Sequence, residues 1–386
     1  MTTPIPLWLD CDPGHDDVFA ILMSAYHPSI ELLGISTVYG NAPLKHTTWN
    51  ATSILTSISK EDQVKVYAGA IKPISRPPMT AGAEIHGESG LDGTDLLPQP
   101  AKGPVTTVGD DVALAQTVEA MAAALLAQPA GTAWLVATGC LTNVALLLEK
   151  YPEIAAHLAG LSIMGGAIGD GFTSAVSGEV DGVPRIGNTT MFAEFNILLD
   201  PEAAAAVFDN PVLAKKTTLV PLDLTHLVLA TAEVQDLLLH GPDATASAES
   251  TAGTGKTTLR TMLVQLLNFF ADTYSKVFGI KEGPPLHDPI AVAAVLTGLS
   301  TEIPFYDYKE TDASKTPERF EVKVVTDGTT PEALAGKGET GRTVARLLEP
   351  GQEGVRIPRG LDIPLFWKVI EECTTRADEA NAKNSR

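Results

Sequence analysis

Residues 7–17 read LWLDCDPGHDD, a short apolar run that leads into a turn carrying four aspartates. The apolar run predicts a buried β-strand, and the apolar residues after the turn predict a helix that begins near Asp16. Carboxylates this close together repel one another strongly where the effective dielectric is low. A hard divalent cation such as Ca²⁺ or Mg²⁺ would offset that repulsion. The alternative is a solvated acidic turn, which would not need apolar segments on both sides.

Strand-like and helix-like segments alternate along the rest of the chain, which is the pattern of an α/β protein. We predict an open, mainly parallel, doubly wound (Rossmann-like) sheet with helices on both faces. The active site of such a fold lies at the carboxyl ends of the strands. The predicted strands are residues 7–9, 32–38, 64–68, 133–137, 161–164 and 217–221. The predicted helices are residues 16–25, 45–58, 112–127, 143–150, 201–208, 259–277 and 289–296.

The composition shows no interdomain linker, so we predict that residues 1–373 form a single domain. Three segments rich in Gly, Pro, Ser, Thr or Asp are predicted loop insertions, at residues 98–111, 169–187 and 241–256. The polar segment 374–386 is expected to be a disordered tail.

The charge limits the class of partner. The formal net charge is −20, from 47 acidic and 27 basic residues, which disfavours nucleic acid and anionic membrane surfaces. The chain has neither a secretory leader nor an apolar run long enough to cross a membrane, so a cytoplasmic protein is expected. Three cysteines far apart in the sequence are expected to be reduced thiols. These features favour a neutral small molecule as the ligand.

Polar side chains follow other predicted strands as well. Asn41 and Thr138 come after the second and the fourth strand, so we expect both beside the aspartate turn. The segment 187–196 adds Asn188, Glu194 and Asn196. If this segment is extended, the side chains of Glu194 and Asn196 share one face. Amides and carboxylates together suit vicinal hydroxyls, although a helix cap is the alternative role for this segment.

Two histidines are further candidates. His287 and Asp288 precede a predicted helix, where Asp288 would serve as an N-cap. Beside a metal cluster, Asp288 would instead be a further ligand and His287 a proton donor. His86 lies in the glycine-containing segment 85–93, which is either a loop that closes over a ligand or an ordinary surface loop.

Residues 253–258 read GTGKTT and end like a phosphate-binding P-loop. The motif requires a glycine where this chain has Ser250, and no apolar strand precedes it. We therefore predict a flexible loop here and no triphosphate site.

Taken in order, these motifs resemble those of the inosine-uridine-preferring nucleoside hydrolase family. The resemblance runs from residue 5 to residue 300, and more loosely to residue 370. It implies one Ca²⁺ per active site, a homodimer or homotetramer, and hydrolysis of the N-glycosidic bond of ribonucleosides in nucleoside salvage. The products would be ribose and the free base.

The resemblance also implies a role for each candidate residue. Asp12 would be the general base for the water on the metal, and His287 is the candidate leaving-group acid, with Asp10 in support. The metal ligands would be Asp12, Asp17, Asp288 and the main-chain carbonyl of Thr138. The substrate-binding residues would be Asp16, Asn41, His86, Met164, Asn188, Glu194, Asn196 and Tyr274.

The identity of the base is the least determined feature. Purine-specific members of the family stack the base between tryptophans and lack a histidine before the late aspartate. His287 and His86 make this chain similar to the nonspecific or pyrimidine-preferring members instead. Tyr274 or Phe270, on the predicted helix before His287, is a candidate to face the base. We therefore expect uridine and inosine as substrates.

Two other functions compete with this hypothesis. A Mg²⁺-dependent phosphohydrolase with an Asp-x-Asp motif would use Asp10 to attack phosphorus, but the amides at Asn188 and Asn196 would then have no purpose. A non-catalytic nucleoside-binding protein on the same fold would bind without turnover. The presence of every apparent catalytic carboxylate counts against it.

Overall fold

A parallel sheet of six strands forms the centre of the computed structural model, which describes residues 3–79, 83–109, 111–180, 182–242, 253–309 and 311–384. In chain order the strands are β1 (Ile5–Cys11), β2 (Ile30–Thr37), β3 (Val66–Ala68), β4 (Trp134–Ala137), β5 (Gly160–Met164), β6 (Glu179–Val180), β7 (Val183–Pro184), β8 (Thr217–Val220), β9 (Phe305–Tyr306), β10 (Phe320–Val324), β11 (Thr343–Leu347) and β12 (Gly360–Leu361). The central sheet has the order β3-β2-β1-β4-β5-β8. The α/β class and the parallel sheet are confirmed.

Helices surround this sheet. They are α1 (Asp17–Tyr26), α2 (Leu44–Ser57), α3 (Ala83–His86), α4 (Asp111–Leu126), α5 (Thr142–Lys150), α6 (Ile154–His157), α7 (Phe195–Leu199), α8 (Pro201–Phe208), α9 (Pro211–Ala214), α10 (Leu222–Thr225), α11 (Ala232–His240), α12 (Thr258–Phe278), α13 (Asp288–Ala293), α14 (Thr330–Leu334) and α15 (Ile363–Asn384). A 3₁₀ turn, Ala294–Leu296, continues α13. Among these helices, none has the length and apolar composition that crossing a bilayer requires.

Side chains alternate between the two faces of β1, as the pleat of a strand dictates. Leu7 and Leu9 join the cluster of buried residues that includes α1, α12, α13 and α15. Trp8, between them, joins the cluster on the other face, with α4, α5 and α8. Because both faces of β1 are buried, its sequence is almost continuously apolar until the aspartates begin.

The strand order reverses between β1 and β4, which pair in parallel with Asp10 opposite Ala137. From β1 the chain adds β2 and then β3 on one side of β1. It later adds β4, β5 and β8 on the other side. Loops diverge at such a switch point and leave a crevice at the carboxyl ends of the strands. Asp12 and Thr138 directly follow the two strands that flank this crevice.

The structure differs from the sequence prediction in several places, and one of them is the pair of short strands β6 and β7 inside the predicted loop insertion 169–187. The segment around Glu194 and Asn196 is not extended, because Glu194 is the N-cap of α7. Two antiparallel strands, β10 and β11, pair in the part of the chain where the sequence predicted none. The expected disordered tail, residues 374–386, is helical as far as Asn384, and its last two residues lie outside the described part.

A buried ion-pair network holds this C-terminal helix in place. The guanidinium of Arg260 on α12 donates to Asp378 Oδ2 at 2.6 Å and to Glu371 Oε1 at 2.9 Å, both on α15. It also donates to the main-chain oxygen of Leu238 on α11 at 2.7 Å. Composition alone does not reveal such pairing, which explains why the tail was assigned to disorder.

Replacing Arg260 with alanine is expected to lower the free energy of unfolding by about 3–5 kcal/mol, because two largely buried carboxylates lose their counter-charge. Urea unfolding followed by circular dichroism measures the loss. The matched control is Arg346→Ala, which breaks an exposed pair with Glu321 and is expected to cost less than about 1 kcal/mol. Equal losses in the two variants would contradict a stabilising role for the Arg260 network.

Candidate active site

A cavity of about 560 Å³ opens at the switch point of the sheet. Eleven predicted site residues line it: Asp16, Asn41, His86, Thr138, Met164, Asn188, Glu194, Asn196, Tyr274, His287 and Asp288. Asp12 and Asp17 are fully buried and contact residues of this lining. The main-chain N–H of Asn41 donates to Asp12 Oδ2 at 2.8 Å, and the Thr138 hydroxyl donates to Asp17 Oδ1 at 2.8 Å. The structure therefore brings the whole predicted set together.

Three carboxylates converge at the cavity floor. One oxygen each from Asp16, Asp17 and Asp288 lies within 4.8 Å of the others, and all three residues are buried. Burial raises the pKa of Asp16 to about 7 and that of Asp17 to about 6, and raises the pKa of Asp288 well above its usual range. No described lysine or arginine forms an ion pair with this cluster. The cluster thus lacks a protein counter-charge.

Asp12 lies against two glycines that leave room for its carboxylate. A Cβ at Gly139 would lie 2.7 Å from Asp12 Oδ1, and a Cβ at Gly40 would collide with Oδ2. Burial, together with the nearby charge of Asp17, raises the pKa of Asp12 well above its usual range. Oδ1 is buried and has no hydrogen-bond partner. Such an orphaned carboxylate oxygen is costly unless a cation or a proton satisfies it.

The oxygen atoms of these carboxylates are suitable ligands for a hard divalent cation. Asp12, Asp16, Asp17 and Asp288 offer only oxygen atoms, the ligand type that Ca²⁺ and Mg²⁺ prefer. The main-chain oxygen of Thr138 accepts from the Asn196 side-chain amide at 2.8 Å and keeps a second lone pair. By proximity the cluster includes Asp16, which the sequence analysis assigned to the substrate.

Asp10 lies outside the cavity lining, on the other side of the strand-end turn. Its Oδ1 accepts from Ser36 and, at 2.8 Å, from the side-chain amide of Asn143. Asn143 also donates to the main-chain oxygen of Thr37 at the end of β2. Asp10 therefore ties neighbouring strand ends together without contributing to the cavity surface.

The amides of the lining present different atoms to the cavity. Asn196 Nδ2 donates to Thr138 O, which leaves its Oδ1 as a free acceptor. Asn188 Oδ1 accepts from the Phe195 N–H at 2.9 Å, and the Asn188 side chain also hydrogen-bonds the Tyr274 hydroxyl. Asn41 Nδ2 donates to the main-chain oxygen of Asp12 at 3.2 Å. Acceptors and donors side by side match hydroxyl groups, which both donate and accept.

Glu194 combines structural and surface roles. As the N-cap of α7, its Oε1 accepts from the Asn196 N–H at 2.9 Å and its Oε2 from the Ile197 N–H at 3.1 Å. Oε2 also accepts from the Gly166 N–H at 2.8 Å. Burial nevertheless raises the pKa of Glu194. The helix-cap alternative is thus observed, yet the carboxylate still lines the cavity.

His287 is held between two hydroxyl groups. Its Nε2 lies 2.7 Å from Tyr274 Oη, and its Nδ1 lies 2.6 Å from Thr225 Oγ1. Burial lowers its pKa well below the usual range. The sequence analysis did not find Thr225, because it lies on the short helix α10, far from His287 in the chain.

His86 is anchored by a second histidine. The Nδ1 atoms of His15 and His86 are 3.0 Å apart, and His15 Nε2 lies 2.7 Å from the main-chain oxygen of Asp92. A carbonyl can only accept, so this nitrogen of His15 carries its proton. Burial lowers the pKa of His15 to about 4 and that of His86 further below its usual range. These contacts fix His86 in the cavity wall.

One end of the cavity is aromatic. Phe270, Tyr274 and Phe278 lie on one face of α12, with successive ring centroids 4.7 and 4.8 Å apart. Their spacing of four residues is that of a single helix face, so the sequence pattern could have revealed Phe278. Arg185, from the predicted insertion 169–187, also lines the cavity and was missed because loop positions follow no such period.

The fold and the site are those of an α/β enzyme with a carboxylate centre next to groups that suit a sugar. The family model described as inosine-uridine preferring nucleoside hydrolase matches residues 7–368. The uridine nucleosidase of Saccharomyces cerevisiae is 35% identical over 380 residues, or 97% of each chain. The chain belongs to the inosine-uridine preferring nucleoside hydrolase family, and it is a hydrolase.

A second curated relative and a solved structure are also similar to this chain. The pyrimidine-specific ribonucleoside hydrolase RihA of Salmonella arizonae is 37% identical over 295 residues, covering 76% of this chain and 79% of its own. The solved structure of the purine-preferring ribonucleoside hydrolase from Gardnerella vaginalis superposes with a TM-score of 0.71 at 23% identity. It covers 97% of this chain and 99% of its own, which shows that the fold is shared.

Proposed function

We propose that this enzyme uses Ca²⁺ to hydrolyse the N-glycosidic bond of ribonucleosides, with uridine and inosine as its preferred substrates. One observation carries the proposal, namely the buried group of Asp16, Asp17 and Asp288 beneath a cavity lined with side-chain amides. Asp12 interacts electrostatically with Asp17 and Asp16 and adds an oxygen without a hydrogen-bond partner. Asp12, Asp17, Asp288 and the carbonyl of Thr138 would hold the ion. When bound, Ca²⁺ would supply a Lewis acid that lowers the pKa of a water molecule.

The orphaned Oδ1 makes Asp12 the best candidate for the general base. A base must have a free lone pair within hydrogen-bond reach of the proton that it accepts. Asp12 Oδ2 is occupied by the Asn41 N–H, whereas Oδ1 has no partner. Asp12 would therefore accept the proton of the attacking water at Oδ1 as the water oxygen bonds to the ribosyl carbon.

The remaining acids and amides would hold the ribose. Its hydroxyls suit the free acceptors on Asn196 and Asn41, the side-chain amide of Asn188, and the carboxylates of Asp16 and Glu194. Cleavage of a glycosidic bond passes through a state with oxocarbenium character, in which positive charge spreads over the sugar ring. Fixed carboxylates stabilise that charge as it develops. A phosphorylated substrate would meet the same negative field and bind poorly.

A series of hydrogen bonds is the candidate source of a proton for the leaving base, and it links Thr225, His287 and Tyr274. If His287 donates from Nε2 to Tyr274 Oη, the phenol hydrogen is free to point into the cavity. His86, whose ring centroid is 5.2 Å from that of Phe270, would contact the base as well. Similarity to a uridine nucleosidase and a pyrimidine-specific hydrolase supports the preference for uridine.

A substrate panel tests the proposal. Release of the free base from uridine, cytidine, inosine, adenosine and nicotinamide riboside is measured with and without chelator. We expect uridine and inosine to react fastest, and only in the presence of the metal. Release of phosphate from sugar phosphates without base release would indicate a phosphohydrolase instead. Tight nucleoside binding without turnover would indicate a binding protein.

His287→Ala is expected to lower kcat for inosine by about 100-fold, the usual contribution of general acid catalysis. The same variant should lose less than about 10-fold on 4-nitrophenyl riboside, whose leaving group needs no proton. The control is His157→Ala, since the imidazole of that residue contacts the main-chain oxygen of Gln128 through Nε2 and lies outside the described cavity lining. Equal losses on both substrates would argue against His287 in leaving-group protonation.

We also propose a single domain over residues 1–373, to which the rest of α15 belongs because Asp378 pairs with Arg260. A cytoplasmic location and a homodimer or homotetramer are further parts of the proposal. The three cysteines are buried and unpaired, which suits a reducing compartment. Light scattering after size-exclusion chromatography measures the oligomeric state. A monomer at micromolar concentration would contradict that part of the proposal.

A further inference from the structure

Arg185 is a cation in the wall of an otherwise acidic cavity. Among the described lining residues it is the one arginine or lysine, alongside Asp16, Glu194 and Asp288. Burial lowers its pKa, and no described carboxylate forms an ion pair with it. A partly buried guanidinium without a counter-ion is unusual, because buried charges are normally paired. The substrate is the natural partner for such a group.

The loop holds the guanidinium but does not use all of its donors. Nε donates to the main-chain oxygen of Gly187 at 2.7 Å, and Nη2 donates to that of Thr190 at 3.5 Å. A guanidinium has five N–H groups, so hydrogens remain, and Nη1 has no described partner. The two carbonyls therefore orient Arg185 and leave part of its fork for a ligand.

Arg185 lies beside the aromatic residues of the cavity wall. Its guanidinium carbon is 5.1 Å from the ring centroid of Phe278, and it interacts electrostatically with Tyr274. If the amides and acids hold the ribose, the aromatic rings are left for the nucleobase. Arg185 would therefore face the nucleobase, which is the leaving group.

We propose that Arg185 determines specificity for the leaving base by binding an exocyclic carbonyl oxygen and stabilising the negative charge that develops there. This inference rests on the proposed function. When the C1′–N bond breaks, its electron pair stays on the base, while the water oxygen bonds to C1′. In uracil and hypoxanthine that pair delocalises onto a carbonyl oxygen until the base takes up a proton. Bases without such an oxygen, such as adenine, gain nothing from Arg185.

The size of the effect follows from other fixed donors that meet a developing negative charge. Loss of one such donor lowers the rate by about 100-fold to 1,000-fold. Because the interaction grows as charge develops, its loss should lower kcat. The decrease in kcat should be larger for a substrate with a poor leaving group. Lysine keeps the charge but not the planar fork, so Arg185→Lys should retain part of the effect.

The test compares uridine with 5-fluorouridine, whose fluorine makes the base a better leaving group. We expect Arg185→Gln to lower kcat for uridine by about 100-fold and for 5-fluorouridine by about 10-fold, with Arg185→Lys between wild type and Gln. The matched control is Arg342→Gln, whose guanidinium lies 5.1 Å from the Phe192 ring and pairs with Glu339, outside the described cavity lining. It should stay within about twofold of wild type. Thermal unfolding of every variant checks that the fold is intact.

The outcomes separate this inference from the proposed function. Equal losses of Arg185→Gln on both substrates, or no loss, would overturn the role of Arg185 while wild-type uridine hydrolysis still supports the function. If the wild type cleaves inosine but not uridine, the uridine preference fails. Arg185 is then tested by inosine against adenosine, where only the inosine rate should fall. If no nucleoside is cleaved, the proposed function and this inference both fail.

Discussion

Replacement of Asp12 by asparagine is expected to lower kcat for uridine by about 1,000-fold, within the range for loss of a general base. Asparagine keeps the size of the side chain and can still accept the Asn41 N–H, which Asp12 Oδ2 accepts at 2.8 Å. It removes the oxygen that has no partner in the structure, Asp12 Oδ1. The change therefore isolates the chemistry of one carboxylate from its packing.

The same variant should lose activity without losing stability. Burial and the charge of Asp17 raise the pKa of Asp12, so its ionised form is unfavourable in the metal-free protein. Asp12→Asn should therefore be at least as stable as the wild type in the presence of chelator, and Ca²⁺ should raise its melting temperature less. Asp209→Asn, at a surface pair with Lys323, is the control and should retain full activity. Uridine hydrolysis near the wild-type rate would exclude Asp12 as the base.

The strand ends explain why so much of the site could be predicted. Asp12, Asn41 and Thr138 each follow a strand of one parallel sheet, and parallel strands bring their carboxyl ends to one edge. Short apolar runs are enough to locate those strands. The first predicted strand, residues 7–9, was two residues short at each end, because Ile5 and Cys11 also belong to β1. This error leaves the position of Asp12 unchanged.

Features that depend on contacts distant in sequence could not be predicted in this way. The carboxylate of Glu194 lies in the cavity because it caps α7 and accepts from Gly166, a residue 28 positions earlier. Helix α15 is stabilised by the buried Arg260, more than 100 residues before it. Its polar composition resembles that of a disordered tail because the pairing is invisible in a local window. Arg185 was missed because it lies in a loop without a periodic pattern and contacts Phe278, a residue distant in sequence.

Removal of Ca²⁺ by chelator is expected to abolish turnover and to lower the stability of the protein. A ligand that binds only the folded state stabilises it by about 2.7 kcal/mol at a concentration 100-fold above its Kd. The described carboxylates at the cavity floor have no lysine or arginine to replace the ion. Melting temperature and uridine hydrolysis are measured during titration with EGTA and then with Ca²⁺. Full activity in chelator, with the metal shown to be absent, would contradict the proposed mechanism.

The pH dependence of stability gives an independent test of this metal site. Burial raises the pKa of Asp16 to about 7 and that of Asp17 to about 6, whereas an unfolded aspartate titrates near about 4. Between those values the two folded carboxyls hold more protons than they do in the unfolded chain, so their contribution to stability falls as the pH rises from about 4 to about 7. Buried histidines such as His15 and His226, whose pKa burial lowers to about 4, contribute in the opposite direction with and without the ion. Saturating Ca²⁺ favours the ionised carboxylates and should flatten or reverse that fall. The same slope with Ca²⁺ and with EGTA would mean that these aspartates do not bind the ion. Asp12→Asn removes a further carboxyl whose pKa is raised, so its metal-free slope should be shallower than that of the wild type and its response to Ca²⁺ smaller.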